Sequence, residues 1–255
     1  MYGLLWALAE PWRAGQRHSY RILVLGVDES GKTTWVRAAQ SVRHKRQTSD
    51  ATAAPPPPSN LSDPHPHSLS SAYQPTVGLS VTRLSVRCTD PASATRHTQS
   101  WLLWDLGGKA SLRGIWERYL PEADAIVWVM RTSEPSDEPG QLSPRWSEAC
   151  AELQRVLRRL PRRQDAVRSV PLLVVLNGSA DERRLSQLRS ILSARAFPRD
   201  RNAPTERNGT DGLHATSHRH LLCSSVQRVD LRSGAGVAAC IDWLALQFQA
   251  SGGTG

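Results

Sequence analysis

Gly26-Val27-Asp28-Glu29-Ser30-Gly31-Lys32-Thr33 matches the pattern G-x-x-x-x-G-K-[ST] in full. Glycines at both ends of such a loop let the backbone wrap closely around phosphates, and successive N–H groups and the following helix N-terminus point at the negative charge. Lys32 would reach the β- and γ-phosphates, and the Thr33 hydroxyl would ligate a Mg²⁺ that bridges them. Gly26, Asp28, Glu29, Ser30 and Gly31, with Lys32, Thr33 and Thr34, are thus the expected phosphate-contacting set.

Two further segments complete that chemistry. Trp104-Asp105-Leu106-Gly107-Gly108 follows the apolar run Trp101-Leu102-Leu103. Asp105 at a strand end would hold the Mg²⁺ through water, while Gly108, with no side chain in the way, would bring a backbone N–H to the γ-phosphate. Pro75-Thr76-Val77-Gly78 supplies a hydroxyl between the phosphate loop and that acid. Thr76 would complete the Mg²⁺ shell only with a triphosphate bound, so losing the γ-phosphate would release the loop. Taken alone, the glycine pair also reads as a tight turn, and Pro75 to Gly78 as an ordinary turn before a strand.

The elements that must position these residues are legible as strand-like runs at Tyr20 to Leu25, Leu79 to Arg87, Ser100 to Asp105, Ala125 to Met130, Leu172 to Leu176 and His220 to Cys223. The second and third lack an intervening helix and read as a hairpin connected by Cys88 to Gln99. Elsewhere helical patterns alternate with strands, beginning with Thr33 to Ser41, which predicts a mostly parallel sheet covered on both faces. Trp35, Trp104, Trp116, Trp128 and Trp243 fall inside these elements and are expected in the core.

Three stretches are expected as low-complexity insertions: residues 43–72, with Pro55 to Pro58 in a row, 134–144 and 194–217. Residues 251–255 read as a frayed tail. Met1 to Trp12 carries Tyr2, Leu4, Leu5, Trp6, Leu8 and Trp12, a broad apolar face within an amphipathic helix over residues 1–16. That helix suits either a membrane surface or a groove on the domain.

The net charge of +9 comes largely from Arg scattered over several segments. Such charge suits an anionic membrane as well as nucleic acid, or no partner beyond water, and no specific nucleic-acid partner is expected. The four cysteines are far apart and fit neither a zinc site nor a disulfide framework, which favours a reducing compartment. No apolar run approaches the roughly 20 residues of a membrane-spanning helix, and no signal-peptide core is present.

The phosphate loop, Pro75-Thr76-Val77-Gly78-Leu79, Trp104 to Gly108, Trp116-Glu117-Arg118-Tyr119, Val174-Val175-Leu176-Asn177 and Ile241-Asp242-Trp243 stand in the order of the ADP-ribosylation-factor family of small GTPases, which the chain resembles. The opening Met1-Tyr2-Gly3-Leu4-Leu5, with Thr76 to Leu79, is most similar to the related branch that acts at the trans-Golgi. The resemblance implies a P-loop small-GTPase fold over residues 17–250, with a six-stranded, mostly parallel sheet and helices on both faces. It also implies GTP/GDP and Mg²⁺ as cofactors, with Thr33, Thr76 and Asp105 (through water) as metal ligands. Exchange factors, GTPase-activating proteins and effectors are the implied partners of a monomer that is peripheral to Golgi membranes and otherwise cytoplasmic. In such relatives GTP orders the two switch loops and shifts the hairpin, which expels the N-terminal helix toward the membrane. Tyr2 stands where many relatives carry a myristoylated glycine, so a modified Met1 is expected to serve instead.

Three positions depart from the family pattern. Lys109 occupies the place of the Gln that orients the attacking water; an ammonium only donates, so hydrolysis is expected to be weak or partner-dependent. The guanine-reading Asn-Lys-x-Asp becomes Asn177-Gly178-Ser179-Ala180-Asp181, with Asp181 one residue late. Either a bulge at Gly178-Ser179 restores its reach, or the base site has lost its discriminator. Cys223-Ser224-Ser225 resembles the final base-contacting loop, which nominates Ser224, although a plain strand end reads equally well. The leading expectation is a GTP-dependent recruitment switch in vesicle trafficking. The alternative is a degenerate relative acting as an interaction scaffold, and a P-loop kinase, without any recognisable lid segment, ranks last.

Overall fold

The computed structural model describes residues 19–49, 76, 78–89, 95–132, 142–160, 170–196 and 224–252. The expected N-terminal helix 1–16, most of the three insertions, Cys223 and residues 253–255 lie outside the described residues. Six strands form one sheet in the order β2-β3-β1-β4-β5-β6: β1 Ser19–Leu25, β2 Leu79–Thr89, β3 Arg96–Leu106, β4 Ala125–Arg131, β5 Leu172–Asn177 and β6 Ser224–Val229. Only β2 runs antiparallel to its neighbour, so the expected hairpin and the mostly parallel sheet are both present. Five helices pack on it: α1 Lys32–Ser49, α2 Trp116–Tyr119, α3 Pro144–Arg159, α4 Glu182–Ala196 and α5 Val237–Gly252.

Alternation along the central strands sorts side chains into two cores. Ile22, Val24, Val127 and Val129 face Trp35 of α1 and Leu244 and Phe248 of α5. Leu23, Leu25, Trp128 and Met130 face Trp116, Trp146 and Leu153 on the other side. Because β1, β4 and β5 are covered on both faces, they read as continuous apolar runs, as buried parallel strands do. Trp35, Trp116 and Trp128 are buried as expected, whereas Trp104 and Trp243 are half-buried at the margins. Cys88, Cys150 and Cys240 are buried thiols not joined in disulfides.

Several boundaries differ from expectation. Helix α1 continues to Ser49, into the segment expected as an insertion, because Arg43 to Gln47 contains good helix formers and no Pro or Gly. The hairpin strands extend to Thr89 and from Arg96, pairing in unbroken register, so the connection is much shorter than Cys88 to Gln99. Pro144 opens α3 rather than ending a loop: Ser143 caps it, accepting from the Trp146 N–H at 3.2 Å, and Pro at the first helical position loses no needed donor. Helices α4 and α5 run to Ala196 and Gly252, beyond the expected starts of an insertion and of the tail.

The largest difference concerns the last strand. The last described strand is Ser224–Val229, with Val226 and Val229 supplying the apolar positions, while the expected His220 to Cys223 lies outside the described residues. Its register pairs Ser224 with Leu172 and Val229 with Asn177.

Candidate nucleotide site

The register of the sheet assembles the site. Val24 pairs with Asp105, so the acid at the end of β3 stands beside the end of β1, where the chain turns into the phosphate loop. Thr33, in the first turn of α1, donates its hydroxyl to Asp105 Oδ2 at 2.6 Å. Thr76 Oγ1 lies 3.0 Å from the same Thr33 hydroxyl. Three residues separated by tens of positions in sequence therefore meet, as the motif spacing predicts.

Lys32 is buried, and its ammonium donates to the Val27 carbonyl at 2.8 Å across the loop. Burial pushes its pKa from 10.5 down to about 8, despite the opposing pull of Asp105 and Asp28. Burial likewise pushes the Asp105 carboxyl above its usual range, opposed by the Thr33 hydrogen bond and by Lys32. Both groups thus sit where their charged forms lack solvation, and an anion with a cation between them would restore it. Asp105 Oδ1 and Ser30 Oγ are buried with no hydrogen bond.

These residues fit Mg²⁺. The donors are hard oxygens, one carboxylate and two hydroxyls, and the buried Asp105 Oδ1 still has coordination capacity. Among the described residues no cluster of three His, Cys, Asp or Glu is present, so a softer or fully protein-caged ion finds no counterpart here.

Gly108 is pressed against the phosphate loop: a Cβ there would collide with the Lys32 ammonium and lie 2.7 Å from the Gly26 carbonyl oxygen. Glycine is required because nothing larger fits so close to the place of the terminal phosphate. The two switch segments are joined by the Gly107 N–H, which donates to the Gly78 carbonyl at 2.9 Å. Trp116 Nε1 donates to the Gly107 carbonyl at 3.0 Å. Arg113 then anchors the loop: its Nε donates to the Gly108 carbonyl at 2.8 Å, and its terminal nitrogens reach Glu148 at 2.7 Å and Glu152 at 3.3 Å on α3. Lys109 is exposed, and its side chain makes no capping bond to the short 3₁₀ turn that follows.

Glu29 holds a left-handed backbone at φ 54, uncommon for a residue with a side chain. Its carboxylate pairs with Arg145 at 2.7 Å. Thr34 is exposed on α1.

The base side departs from expectation. Asp181 caps α4: Oδ1 accepts the Arg184 N–H at 2.8 Å and Oδ2 the Arg184 guanidinium at 2.9 Å. Its carboxylate is thus oriented toward the head of α4 rather than left without protein partners. Ser224 is also misplaced: paired with Leu172, it lies at the opposite end of the strands from the phosphate loop. The turn that does stand beside Asn177 begins at Asp230, and the Leu231 N–H donates to Asn177 Oδ1 at 3.4 Å. Sequence reasoning missed Leu231, Arg113 and Arg145. Gly234 and Gly236, both at positive φ, mark the Leu231 turn, whereas no local pattern distinguishes the two arginines.

Sheet order, phosphate loop and the converging Thr33, Thr76 and Asp105 define a P-loop protein of the small-GTPase class. Residues 67–247 match the ADP-ribosylation factor family (Arf), and the chain belongs to it. The match begins beyond the phosphate loop, whose part in the site rests on the geometry above. ADP-ribosylation factor-like protein 3 of Chlamydomonas reinhardtii is 28% identical over 157 residues, 62% of this chain and 61% of that protein. ADP-ribosylation factor-related protein 1 of Rattus norvegicus is 25% identical over 162 residues, 64% of this chain and 60% of that protein. The chain thus spans about three fifths of the length of these relatives. In fold it is similar to the Arl6 (BBS3) small GTPase of Trypanosoma brucei, solved with GppNp. There the TM-score is 0.54 at 17% identity, covering 92% of this chain and 98% of that one.

Proposed function

We propose that this chain is a nucleotide-gated recruitment switch of the Arf type, acting with Mg²⁺ at Golgi membranes in vesicle trafficking. The observation that carries the reading is the meeting of Thr33, Thr76 and Asp105. Thr76 belongs to a segment tied to the rest of the switch by Gly78, so a group that holds its hydroxyl also holds Gly107 and Gly108. Mg²⁺, when bound, would neutralise phosphate charge between the two threonines. Lys32 would swing its ammonium from Val27 to the phosphates, and the Gly108 N–H would sense the terminal one. Loss of that phosphate would leave Thr76 and Gly108 without their shared partner.

The output surface lies beside the switch. Val81, half exposed, is paired with Trp104 across the hairpin, and Trp104 meets Tyr119 edge-on with ring centres 5.3 Å apart. Such an apolar patch suits effectors, while exchange factors and GTPase-activating proteins would set the nucleotide state of the monomer. Residues 1–16 would supply the peripheral membrane contact. Lys109, where family members place a water-orienting Gln, leaves hydrolysis slow or dependent on a partner.

The test is flotation of the full chain with anionic liposomes after loading with GDP or with a non-hydrolysable triphosphate. The triphosphate form should float and the Lys32→Ala variant should not. Equal flotation of all three would sink the switch. The capped Asp181 supports a second reading, a scaffold whose partner binding survives Lys32→Ala in a pull-down with the same effector.

A further inference from the structure

Guanine differs from adenine in its edge: N1–H and the exocyclic amine donate, and O6 accepts. A site that selects guanine therefore needs an acceptor pair, in practice a carboxylate, free to face those donors. Sites built this way reject the wrong partner by factors of about 10⁴ or more, because a buried group would be left unpaired.

The place for a base is bounded by Asn177, the turn at residues 178–181 and the turn at residues 230–236. Asn177 and Leu231 stand directly against the phosphate loop, since a Cβ on Gly31 would lie 2.8 Å from Leu231 Cδ1 and 3.1 Å from Asn177 Nδ2. Both carboxylates on these two turns are oriented by hydrogen bonds from their own turn or helix. Asp181 gives both oxygens to Arg184. Asp230 accepts the Arg232 N–H at 3.0 Å and the Ser233 hydroxyl at 2.7 Å. Asn177 turns its oxygen to the Leu231 N–H. Three residues after Asn177, where the family pattern has its acid, Ala180 presents only a methyl group. Gly178 has no side chain, and φ 109 with Thr132 Oγ1 only 2.6 Å from a built Cβ makes any other residue strained there.

We infer that the site takes nucleoside triphosphates through their phosphates and Mg²⁺ with little discrimination between guanine and adenine. The inference rests on the nucleotide reading above and narrows its ligand class. Phosphate contacts carry the affinity, and among the described residues the base wall has no carboxylate at the family position, with Asp181 and Asp230 held by their own turns.

The experiment is titration calorimetry of the full chain with GTP and with ATP, each in Mg²⁺, for wild type and Asp181→Asn. The expected result is dissociation constants for the two nucleotides within about tenfold of each other, with that ratio unchanged in Asp181→Asn. A preference beyond about a hundredfold for either base overturns the inference, as does an Asp181→Asn variant that loses GTP while keeping ATP. Binding of neither nucleotide overturns the nucleotide reading itself and this inference with it. Asp181→Asn keeps a capping side chain, so the variant is expected to fold.

Discussion

Arg145 and Glu29 form an ion pair of 2.7 Å that fastens the head of α3 to the phosphate loop, and the same guanidinium reaches the Asp28 carbonyl at 3.4 Å. The loop carries two acids, Asp28 and Glu29, on a turn meant to receive phosphate. An acid there repels the ligand unless a cation answers it, and Arg145 faces Glu29 from a different element.

Arg145→Ala should therefore weaken triphosphate binding more than it weakens the fold. Both side chains of the pair are close to half exposed, so its contribution to stability is below about 1 kcal/mol. Freeing the Glu29 charge beside a polyanion should cost about fivefold to tenfold in affinity, a loss that shrinks with added salt. Glu29→Ala in the same chain should restore binding. Calorimetry at two salt concentrations checks this, and a double variant as weak as Arg145→Ala would refute the charge argument.

Lys32 gives a pH signature. Its folded pKa, about 8, lies below the unfolded 10.5, so burial penalises the charged form. Between roughly pH 8 and 10.5 the unfolded chain binds the extra proton, so this group's contribution to stability rises with pH across that window and is constant below it. Lys32→Met removes the penalty. The ligand-free variant should be more stable than wild type by about 2 to 3 kcal/mol at pH 7, with the gap closing toward pH 10. It should also lose nucleotide-induced stabilisation. Urea titrations at pH 7 and 9.5 measure both, and a gap independent of pH would contradict the assignment.

The phosphate loop, Thr76, Asp105 and Gly108 were legible because each lies in a short pattern at a strand end, where chemistry and local conformation coincide. The two-sided sheet was legible because strands buried on both faces are continuously apolar. The base side was not. Asp181 looks like a displaced base reader until Arg184 is seen to claim it, and a helix cap and a ligand contact ask for the same residue type. Ser224 was misassigned because the apolar His220 to Cys223 drew the strand forward, and a few residues of slip move a side chain to the other end of the sheet. Arg113 and Arg145 act on partners 35 and 117 positions away, and no local pattern reports such distances.

Arg113 offers a test of the switch apart from nucleotide chemistry. It is buried and joins the Gly108 carbonyl to Glu148 and Glu152. Arg113→Ala leaves the Gly108 carbonyl without its side-chain donor and Glu152 with Arg155 alone, at 3.3 Å, which should cost about 1 to 3 kcal/mol. Since Glu148 is close to half exposed, the loss should fall short of that for a fully buried network. Hydrogen exchange should rise over residues 107–113 more than over β1 or β4. Uniform exchange across the domain would mean that Arg113 does not anchor the loop.

Lys109→Gln tests what limits hydrolysis. Lys109 is exposed and its side chain caps nothing, so replacing it should change stability by less than about 0.5 kcal/mol. The ammonium offers only donors, whereas an amide donates and accepts, and a water poised for in-line attack on the terminal phosphate needs both. If Thr33, Thr76 and Asp105 already hold the phosphates and Mg²⁺ correctly, water orientation is the missing part, and the variant should raise single-turnover hydrolysis about tenfold or more. Phosphate release from the preloaded chain measures it, with Asp105→Asn alongside. The gain should vanish in the double variant, because an ordered water is useless beside a misplaced phosphate. A rate unmoved by Lys109→Gln would place the defect in the segment around Gly108 rather than in the side chain that follows it.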